Sequence, residues 1–366
     1  MTSVAATPES LCVIRLSAIG DCCHTLPVIR TLQAAFPDTP ITWIVGKVER
    51  SLLEGVDGIE FITFDKSLGL SAPWIVRREL KGRQFPILLH MHASMRANLV
   101  SCAVNAQRRI GFDRSRARDR QWLFSNERIA AKPQQHVMDG LFGFAEHLGV
   151  SERVLRWDIP VSREDQNWAW EQCSGAERVL LISPCSSQRF RNFRNWSIEN
   201  YCTLVKHAQD RHGARVLLTG ADTELEQHYA KQIQKIAPEA VNLVGKTSLK
   251  RLLALIAQAD LVLCPDSGPA HMAAATGTPV VGLYATSNRM RTGPYFSQPL
   301  VADRYPDAVA TEFSKPIDSL RWGQRVRNPA AMELITVAEV RDKVDTVLGP
   351  AYSHAQPRTT LPILST

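Results

Sequence analysis

Residues 261–279 read LVLCPDSGPAHMAAATGTP, and this stretch contains the clearest indication of the fold. The apolar run Leu261–Cys264 predicts a buried strand, and the residues after it predict a helix over 268–276. Ser267 is the expected cap of that helix, and Gly277 its expected end. The stretch therefore predicts a strand-turn-helix unit, which is the repeating element of doubly wound α/β domains with parallel sheets.

The same alternation of strand and helix recurs along the chain. Strands are predicted at residues 11–15, 41–45, 59–63 and 86–91 in a first set, and at 179–182, 216–219, 241–243, 261–264 and 280–284 in a second. Helices are predicted between the strands of the second set at residues 197–212, 223–236, 248–258 and 268–276. Segment 158–164, which contains Pro160, is the predicted linker between the sets.

This pattern predicts an α/β protein of two Rossmann-like, doubly wound domains. We expect an N-terminal domain over residues 1–160, a C-terminal domain over residues 161–349 and a flexible tail over residues 350–366. Open α/β sheets bind ligands at the carboxyl ends of their strands. Two such domains facing a central cleft would hold their ligands in the loops that follow strands.

Composition narrows the class of protein. The 366 residues include 43 Lys or Arg and 36 Asp or Glu, which gives a formal net charge of +7, with 45% hydrophobic and 22% charged residues. These values exclude a disordered, collagen-like or coiled-coil chain. The basic excess indicates an anionic partner, which is a nucleic acid, an anionic membrane surface or a phosphorylated substrate.

Localisation is predicted from the cysteines and the apolar runs. The eight cysteines have no C-x-x-C spacing and are interpreted as free thiols of a reducing compartment. The N-terminus lacks the pattern of a signal peptide, and no apolar run reaches the roughly 20 residues of a membrane span. We therefore expect a cytoplasmic protein whose membrane contact is at most peripheral, at the inner face of the inner membrane.

The loop after the first strand contains a carboxylate where a dinucleotide-binding loop has glycines. Asp21 follows Gly20 at a predicted helix start, so it is either a helix cap or a base at the mouth of the cleft. A single glycine does not make the three-glycine fingerprint of nicotinamide or flavin proteins. His24, one turn further, is expected to orient Asp21 or a substrate, with simple packing as the alternative.

Two loops of the second domain are predicted to bind phosphate. The helix that starts near Ser267 presents free backbone N–H groups, and the flanking Asp266 and His271 add more polar chemistry than capping requires. Loop 183–196 carries three arginines, whose guanidinium groups suit phosphate oxygens: Arg189, Arg191 and Arg194. Their spacing leaves open which of them binds, and a solvated basic loop with aromatic residues packed beneath it is the alternative.

Segment 108–128 contains seven arginines against three acidic residues, with aromatic residues between them. This composition predicts an anionic acceptor in the first domain, with Arg114, Arg118 and Arg120 as its contacts. A solvated face is the plain alternative, and a non-catalytic protein that binds RNA or another polyanion is a second one. A sequence pI near 9.1 is modest for a dedicated nucleic-acid binder, so no nucleic-acid partner is expected.

Two further patterns are rejected. Gly245–Thr247 resembles the end of a P-loop, but Ala240 stands where the earlier glycine is required. His90 and His92, and the cluster 22–24, lack a second pair of ligands at usable spacing. No bound metal is predicted.

Four segments taken together resemble a known family, the ADP-heptose:lipopolysaccharide heptosyltransferases of glycosyltransferase family 9: Leu16–Asp21, His24–Pro27, Asp266–Ala274 and Arg291–Tyr295. The similarity runs from about Leu11 to Leu348, and segment 111–136 leans toward the heptosyltransferase I type. The resemblance implies a GT-B fold that transfers heptose from ADP-heptose to an anionic glycolipid of the lipopolysaccharide inner core. It also implies inversion without a metal or other cofactor, the nucleotide-diphosphate sugar being a co-substrate.

The resemblance also assigns roles to residues. Asp21 matches the presumed general base of the family. The other matching positions bind the donor: Ser186, Ser187, Arg194, Asp222, Asp266, Ser267, Gly268 and His271. Two positions depart from the family pattern, because Arg194 replaces a lysine and Ser267 replaces a threonine. These departures leave open a glycosyltransferase with another donor, or a nucleotide-sugar epimerase.

Overall fold

The fold consists of two compact units, Met1–Ile159 and Pro160–Thr366. It comes from a computed structural model that describes residues 7–187, 190–350, 352 and 359–364. Within these ranges no helix combines the length and the apolar character that crossing a membrane requires. All eight cysteines are free thiols.

Unit 1 is built on a six-stranded parallel sheet. Its strands are β1 (Leu11–Ile14), β2 (Ile41–Gly46), β3 (Ile59–Phe64), β4 (Phe85–His90), β5 (Ala106–Gly111) and β6 (Glu127–Arg128). Its α-helices are α1 (Ile19–Ala35), α2 (Lys47–Leu53), α3 (Ala72–Glu79), α4 (Met95–Ser101) and α5 (Val137–His147), with 3₁₀ turns at Lys66–Ser71 and Gln121–Leu123. Strands β1 and β2 are buried along their whole length, as expected for a parallel sheet covered on both faces.

Unit 2 contains a second six-stranded parallel sheet. Its strands are β7 (Val179–Ile182), β8 (Arg215–Leu218), β9 (Val241–Asn242), β10 (Leu261–Pro265), β11 (Val280–Tyr284) and β12 (Ala302–Asp303). Its α-helices are α6 (Arg163–Cys173), α7 (Ile198–His212), α8 (Glu224–Ile236), α9 (Leu249–Gln258), α10 (Gly268–Thr276), α11 (Arg289–Thr292), α12 (Tyr305–Phe313) and α13 (Val337–Leu348). Short 3₁₀ turns lie at Gln298–Leu300, Ile317–Ser319 and Ala331–Leu334.

Both sheets have the strand order of dinucleotide-binding folds. Unit 1 has the order β3-β2-β1-β4-β5-β6, and unit 2 has the order β12-β11-β10-β7-β8-β9. In each sheet the order reverses between two adjacent strands, which are β1 and β4 in unit 1 and β7 and β10 in unit 2. A crevice opens at the carboxyl ends of such a strand pair, and ligands of doubly wound sheets bind there.

The predicted α/β class with doubly wound sheets is confirmed for each unit. All nine predicted strands form, and α10 has the predicted bounds. Three strands were not predicted: β5, β6 and β12. The charged sequence AQRRIG hides β5, while β6 and β12 are two residues long, so none of them shows an apolar run.

Residues 359–364 differ from the predicted flexible tail. The Leu361 side chain is buried, and Ile363 forms a parallel bridge with Val161. The backbone N–H of Val161 donates to the carbonyl of Pro362, and that of Thr359 to the carbonyl of Thr276. These six residues are therefore an ordered edge of unit 2.

Candidate active site

Asp21 lies in the first turn of α1, directly after β1. Its Oδ2 lies 2.5 Å from Nη2 of Arg15 and accepts a hydrogen bond from the backbone N–H of Ala18 at 3.3 Å. The side chain is 33% exposed, and no described residue donates to Oδ1. Oδ2 therefore accepts a capping hydrogen bond at the start of α1. The role of Asp21 as a base stays a prediction, and Oδ1 is the oxygen available for it.

The charge of Asp21 is stabilised by its surroundings. Burial disfavours the ionised carboxyl, but the Arg15 guanidinium and the Ala18 amide together hold the pKa of Asp21 below its ordinary value. Arg15 is itself buried and donates from Nη1 to the carbonyl of Met91 at 2.6 Å. Asp21 is therefore a carboxylate at neutral pH. Its orientation is fixed by Arg15, which is itself hydrogen-bonded to the chain at the end of β4.

His24, which is expected to orient Asp21 or a substrate such as the acceptor, is instead packed inside unit 1. His24 lies on the buried side of α1 and is 2% exposed. Its ring packs edge-on against His136, with 5.2 Å between ring centroids. A helix position one turn after Asp21 turns into the core here, so the packing alternative is correct.

The basic segment 108–128 divides into structural and exposed arginines. Three are tied within unit 1: Arg108 to the carboxylate of Glu127, Arg109 to the carbonyls of Ser101 and Val104, and Arg116 to Asp113. Arg114, Arg118 and Arg120 are exposed. The run is thus not one solvated face, and the three arginines predicted to bind the acceptor are among those whose side chains reach the surface.

In unit 2 the carboxylate of Asp266, at the end of β10, forms ion pairs with two arginines. Nη1 of Arg194 lies 3.4 Å from Oδ2 and donates to the Asp266 carbonyl at 2.7 Å. Nη1 of Arg325 lies 3.3 Å from the same Oδ2, and the hydroxyl of Ser287 donates to it at 2.7 Å. His271 is close by, with Nε2 at 3.9 Å from Oδ1. Strands β7 and β10 are adjacent, so this cluster lies at the crevice of the second sheet.

Asp266 is itself buried, its side chain being 7% exposed. Burial disfavours ionisation, but Arg194 and Arg325 outweigh it and lower the pKa of Asp266. An ionised carboxylate repels phosphate, so the charge suited to a diphosphate is that of Arg194 and Arg325, and the contact of Asp266 with the donor stays a prediction. The contacts of Asp266 fix the positions of two guanidinium groups.

The helix α10 begins beside these guanidinium groups. Ser267 occupies the N-cap position, but its hydroxyl donates to the carbonyl of Pro265 at 3.1 Å and makes no capping hydrogen bond. The prediction of a side-chain cap is therefore wrong. Gly277 ends the helix in the left-handed region with φ of 72°, as predicted. Since the Ser267 hydroxyl does not cap α10, the positive end of the helix dipole adds to the charge of Arg194 and Arg325.

Loop 183–196 is anchored at Trp196, which is buried and donates to the carbonyl of Ile335 at 2.9 Å. Phe190 is 92% exposed, so the expected aromatic packing beneath the loop holds for Trp196 and not for Phe190. Arg191 is exposed and, unlike Arg194, lies in no ion pair among the described residues. Arg189 lies outside the described residues.

Three other predicted donor contacts lie at the same edge of the unit 2 sheet. The Ser186 hydroxyl is engaged by Asn192 and Asn195, whereas Ser187 is exposed. Asp222 follows β8, is exposed and accepts from Gln227 at 3.1 Å. Asp222 makes no described contact with Asp266, because β7 lies between β8 and β10.

Sequence reasoning missed two residues that the fold brings to these clusters. Arg325 is 59 positions from Asp266, in a stretch without a motif. His92 was considered only as a metal ligand, yet its Nδ1 accepts the backbone N–H of Leu16 at 3.1 Å. A polar residue directly after a strand was the available signal for His92, whereas Arg325 had none.

One group of side chains in the described residues has the composition of a metal site. His207 and His212 each place Nε2 at 2.7 Å from Oδ1 of Asp345. These hydrogen bonds tie α7 to α13 and account for the arrangement.

Comparison with known proteins shows which family and which solved structures this chain resembles. The family model for glycosyltransferase family 9 (heptosyltransferase) matches residues 74–307. The lipopolysaccharide core heptosyltransferase OpsX of Haemophilus influenzae is 39% identical over 91% of this chain and 95% of its own. Among solved structures, a family 9 glycosyl transferase from Veillonella parvula gives a TM-score of 0.75 at 22% identity, covering 94% of this chain and 99% of its own. The Escherichia coli heptosyltransferase WaaC with ADP gives 0.70 at 19% identity, covering 92% and 99%.

Two doubly wound units with ligand loops at their strand ends define the GT-B class of glycosyltransferases, and the likeness to these structures shows that fold. The chain belongs to glycosyltransferase family 9, the heptosyltransferase family.

Proposed function

We propose that this protein transfers a heptosyl group from ADP-heptose to an anionic glycolipid of the lipopolysaccharide inner core, with inversion and without a metal. The Haemophilus relative is a lipopolysaccharide core heptosyltransferase that is 39% identical over 91% of the chain, which supports the transferred sugar and the acceptor class. The observation that carries the chemistry is Asp21, a carboxylate held ionised with Oδ1 open at the crevice of the first sheet.

In the proposed reaction Oδ1 of Asp21 accepts the proton of the acceptor hydroxyl while that oxygen attacks the anomeric carbon. The bond between the anomeric carbon and the diphosphate breaks, and ADP leaves with the electron pair. A carboxylate of low pKa is a weak base for a hydroxyl, so the proton transfers late, when the bond to the diphosphate is largely broken.

The leaving diphosphate gains negative charge, which positive groups of unit 2 would stabilise. Arg194, Arg325 and the start of α10 supply fixed positive charge at the end of β10. Preorganised cations of this kind do the work that a metal ion does in other transferases. The remaining proposed donor contacts are Ser186, Ser187, Asp222, Asp266, Ser267, Gly268 and His271.

Transfer is tested with the purified full-length protein, ADP-heptose and lipopolysaccharide from a strain in which its gene is deleted. We expect the acceptor to gain the mass of one heptosyl residue, at an unchanged rate in excess EDTA. No gain in mass with ADP-heptose would refute the proposed function, and loss of activity in EDTA would refute metal independence. ADP-heptose alone tests the epimerase alternative, and an RNA gel shift at physiological salt tests the polyanion-binding one.

We further propose that unit 1 contacts an anionic membrane surface, where a glycolipid acceptor is found. The surface involved, here called the apolar-basic patch, combines four exposed apolar side chains with four exposed arginines: Met95, Leu99, Trp122, Leu123, Arg96, Arg114, Arg118 and Arg120. Asp119 joins its two segments, because Oδ2 accepts the backbone N–H of Met95 at 2.9 Å and the Asp119 carbonyl accepts from Asn98 at 2.8 Å. Apolar groups ringed by cations are typical of interfacial binding to anionic lipid.

The patch predicts binding to lipid vesicles. We expect the protein to sediment with vesicles of phosphatidylcholine containing about 30% phosphatidylglycerol, and the double variant W122S/L123S to bind them about tenfold more weakly. The control is W170S, since Trp170 is 61% exposed but lies in unit 2. Equal binding of wild type and W122S/L123S would refute the role of the patch.

A further inference from the structure

His92 lies beside Asp21 because the topology of unit 1 brings their loops together. Strands β1 and β4 are adjacent and parallel, with Ile14 opposite His90. Asp21 follows β1 and His92 follows β4, so both lie at the crevice where the strand order reverses. The fold thus offers a second polar side chain at the place where Asp21 is proposed to meet the acceptor.

The orientation of the His92 ring is fixed by one hydrogen bond. The backbone N–H of Leu16 donates to Nδ1 at 3.1 Å. A ring nitrogen that accepts a hydrogen bond carries no proton, so the neutral ring carries its proton on Nε2. Nε2 forms no hydrogen bond with any residue that the structure describes, and this includes Asp21. The ring is partly buried, but Nε2 is not one of the fully buried unpaired nitrogens of the described residues, so Nε2–H is accessible to a ligand.

The surroundings keep this ring neutral. Burial, followed by the positive charge of Arg15, lowers the pKa of His92 to about 3, against the opposing effect of Asp21. His92 is therefore an uncharged hydrogen-bond donor throughout the neutral range. Neither an imidazolium charge nor general-acid chemistry is part of its role.

We propose that Nε2–H of His92 donates a hydrogen bond to an oxygen of the acceptor sugar, next to the hydroxyl whose proton Asp21 accepts. The inference rests on the proposed function, since it needs a hydroxylated acceptor at this crevice. His92 then fixes the acceptor's orientation relative to Oδ1 of Asp21, while Arg15 fixes Asp21 itself. The ligand class it recognises is an oxygen-rich sugar, and the donor nucleotide is not involved.

Two amide substitutions separate this role from a structural one. In H92N the amide oxygen lies where Nδ1 lies, so the hydrogen bond from Leu16 is kept and the donor at Nε2 is lost. In H92Q the amide N–H₂ reaches the position of Nε2, so the donor is restored and the acceptor for Leu16 is lost. H228N is the matched control, because His228 is an exposed histidine of α8 in unit 2.

We expect H92N to lower kcat/KM for the acceptor about 10- to 100-fold, the usual effect of leaving a hydrogen-bonding group without its partner. H92Q should recover activity to within about fivefold of wild type, on the same reasoning. The affinity for ADP, measured by calorimetry, should be unchanged in both variants and in H228N. The acceptor is de-O-acylated lipopolysaccharide from the deletion strain described above.

The opposite pattern, with H92N active and H92Q impaired, would show that His92 only holds the loop at Leu16 and would overturn the inference. Equal losses in both variants would also overturn it, because the restored donor would then confer no recovery. If the wild-type protein transfers no heptose, the proposed function fails. Calorimetric binding of the same de-O-acylated lipopolysaccharide then decides on His92 alone, with weaker binding to H92N than to H92Q expected.

Discussion

Replacing Asp21 with Asn should reduce heptosyl transfer by about 10³-fold or more, because the variant lacks the base that receives the proton of the acceptor hydroxyl. The amide can still occupy the place of the carboxylate beside Arg15, so the start of α1 should keep its shape. It has no lone pair basic enough to take a proton from an alcohol. The measurement is the initial rate of heptose transfer at saturating ADP-heptose, with ADP affinity measured in parallel.

Binding of ADP by D21N should stay within about twofold of wild type, since Asp21 is in unit 1 and the proposed diphosphate contacts are in unit 2. The thermal midpoint should fall, because the buried Arg15 loses a charged partner, but only modestly, since residue 21 is one-third exposed and the amide oxygen still accepts from Arg15. D38N is the control, as Asp38 is an exposed aspartate of the same unit without a described contact. Wild-type turnover by D21N would remove Asp21 from the mechanism.

The second large effect is expected at Arg325. Truncation to Ala should weaken ADP binding about 10- to 100-fold, the usual range for a lost charge-assisted hydrogen bond. R194A should give a loss of the same order, since both guanidinium groups lie within 3.4 Å of the same Asp266 oxygen. Both variants are measured by calorimetric titration with ADP.

Two exposed arginines of the same unit serve as controls. Arg211 and Arg321 make no described side-chain contact, so R211A and R321A should bind ADP as the wild type does. Each of the variants R325A and R194A leaves Asp266 with one of its two arginine partners. If these alanine variants do not fold, R325K and R194K replace them, because they keep the positive charge. Wild-type ADP affinity in folded R325A would show that Arg325 only balances Asp266.

The fold class was predictable because the buried strands of a parallel sheet are continuous apolar runs in the sequence. Strands β7 and β11 were predicted with their observed bounds, and α10 was marked by Pro269 and Gly277. Strand β5 was missed because its arginines point to partners distant in the sequence. Arg108 pairs with Glu127 at 2.7 Å, a contact that forms only once β5 and β6 are paired.

Candidate site residues could be chosen from the sequence where they lie in short motifs. Asp21 and the loop from Asp266 to His271 were found because each follows a predicted strand. The ion pairs of Asp266 were not predictable, since Arg194 and Arg325 lie far from it in the sequence. Burial of His24 was equally hidden, because a helix position does not show in sequence which side faces the core.

Local apolar patterning and residues adjacent in the chain were enough to predict the strand-helix alternation, the two-sheet α/β class and the motifs that resemble family 9. Contacts formed in the folded protein were needed to show which arginines are structural, that the Ser267 hydroxyl does not cap α10, and that His92 and Arg325 join the two clusters. Those features depend on contacts between segments far apart in sequence. Such contacts arise only when parallel strands align their carboxyl ends at one edge of a sheet.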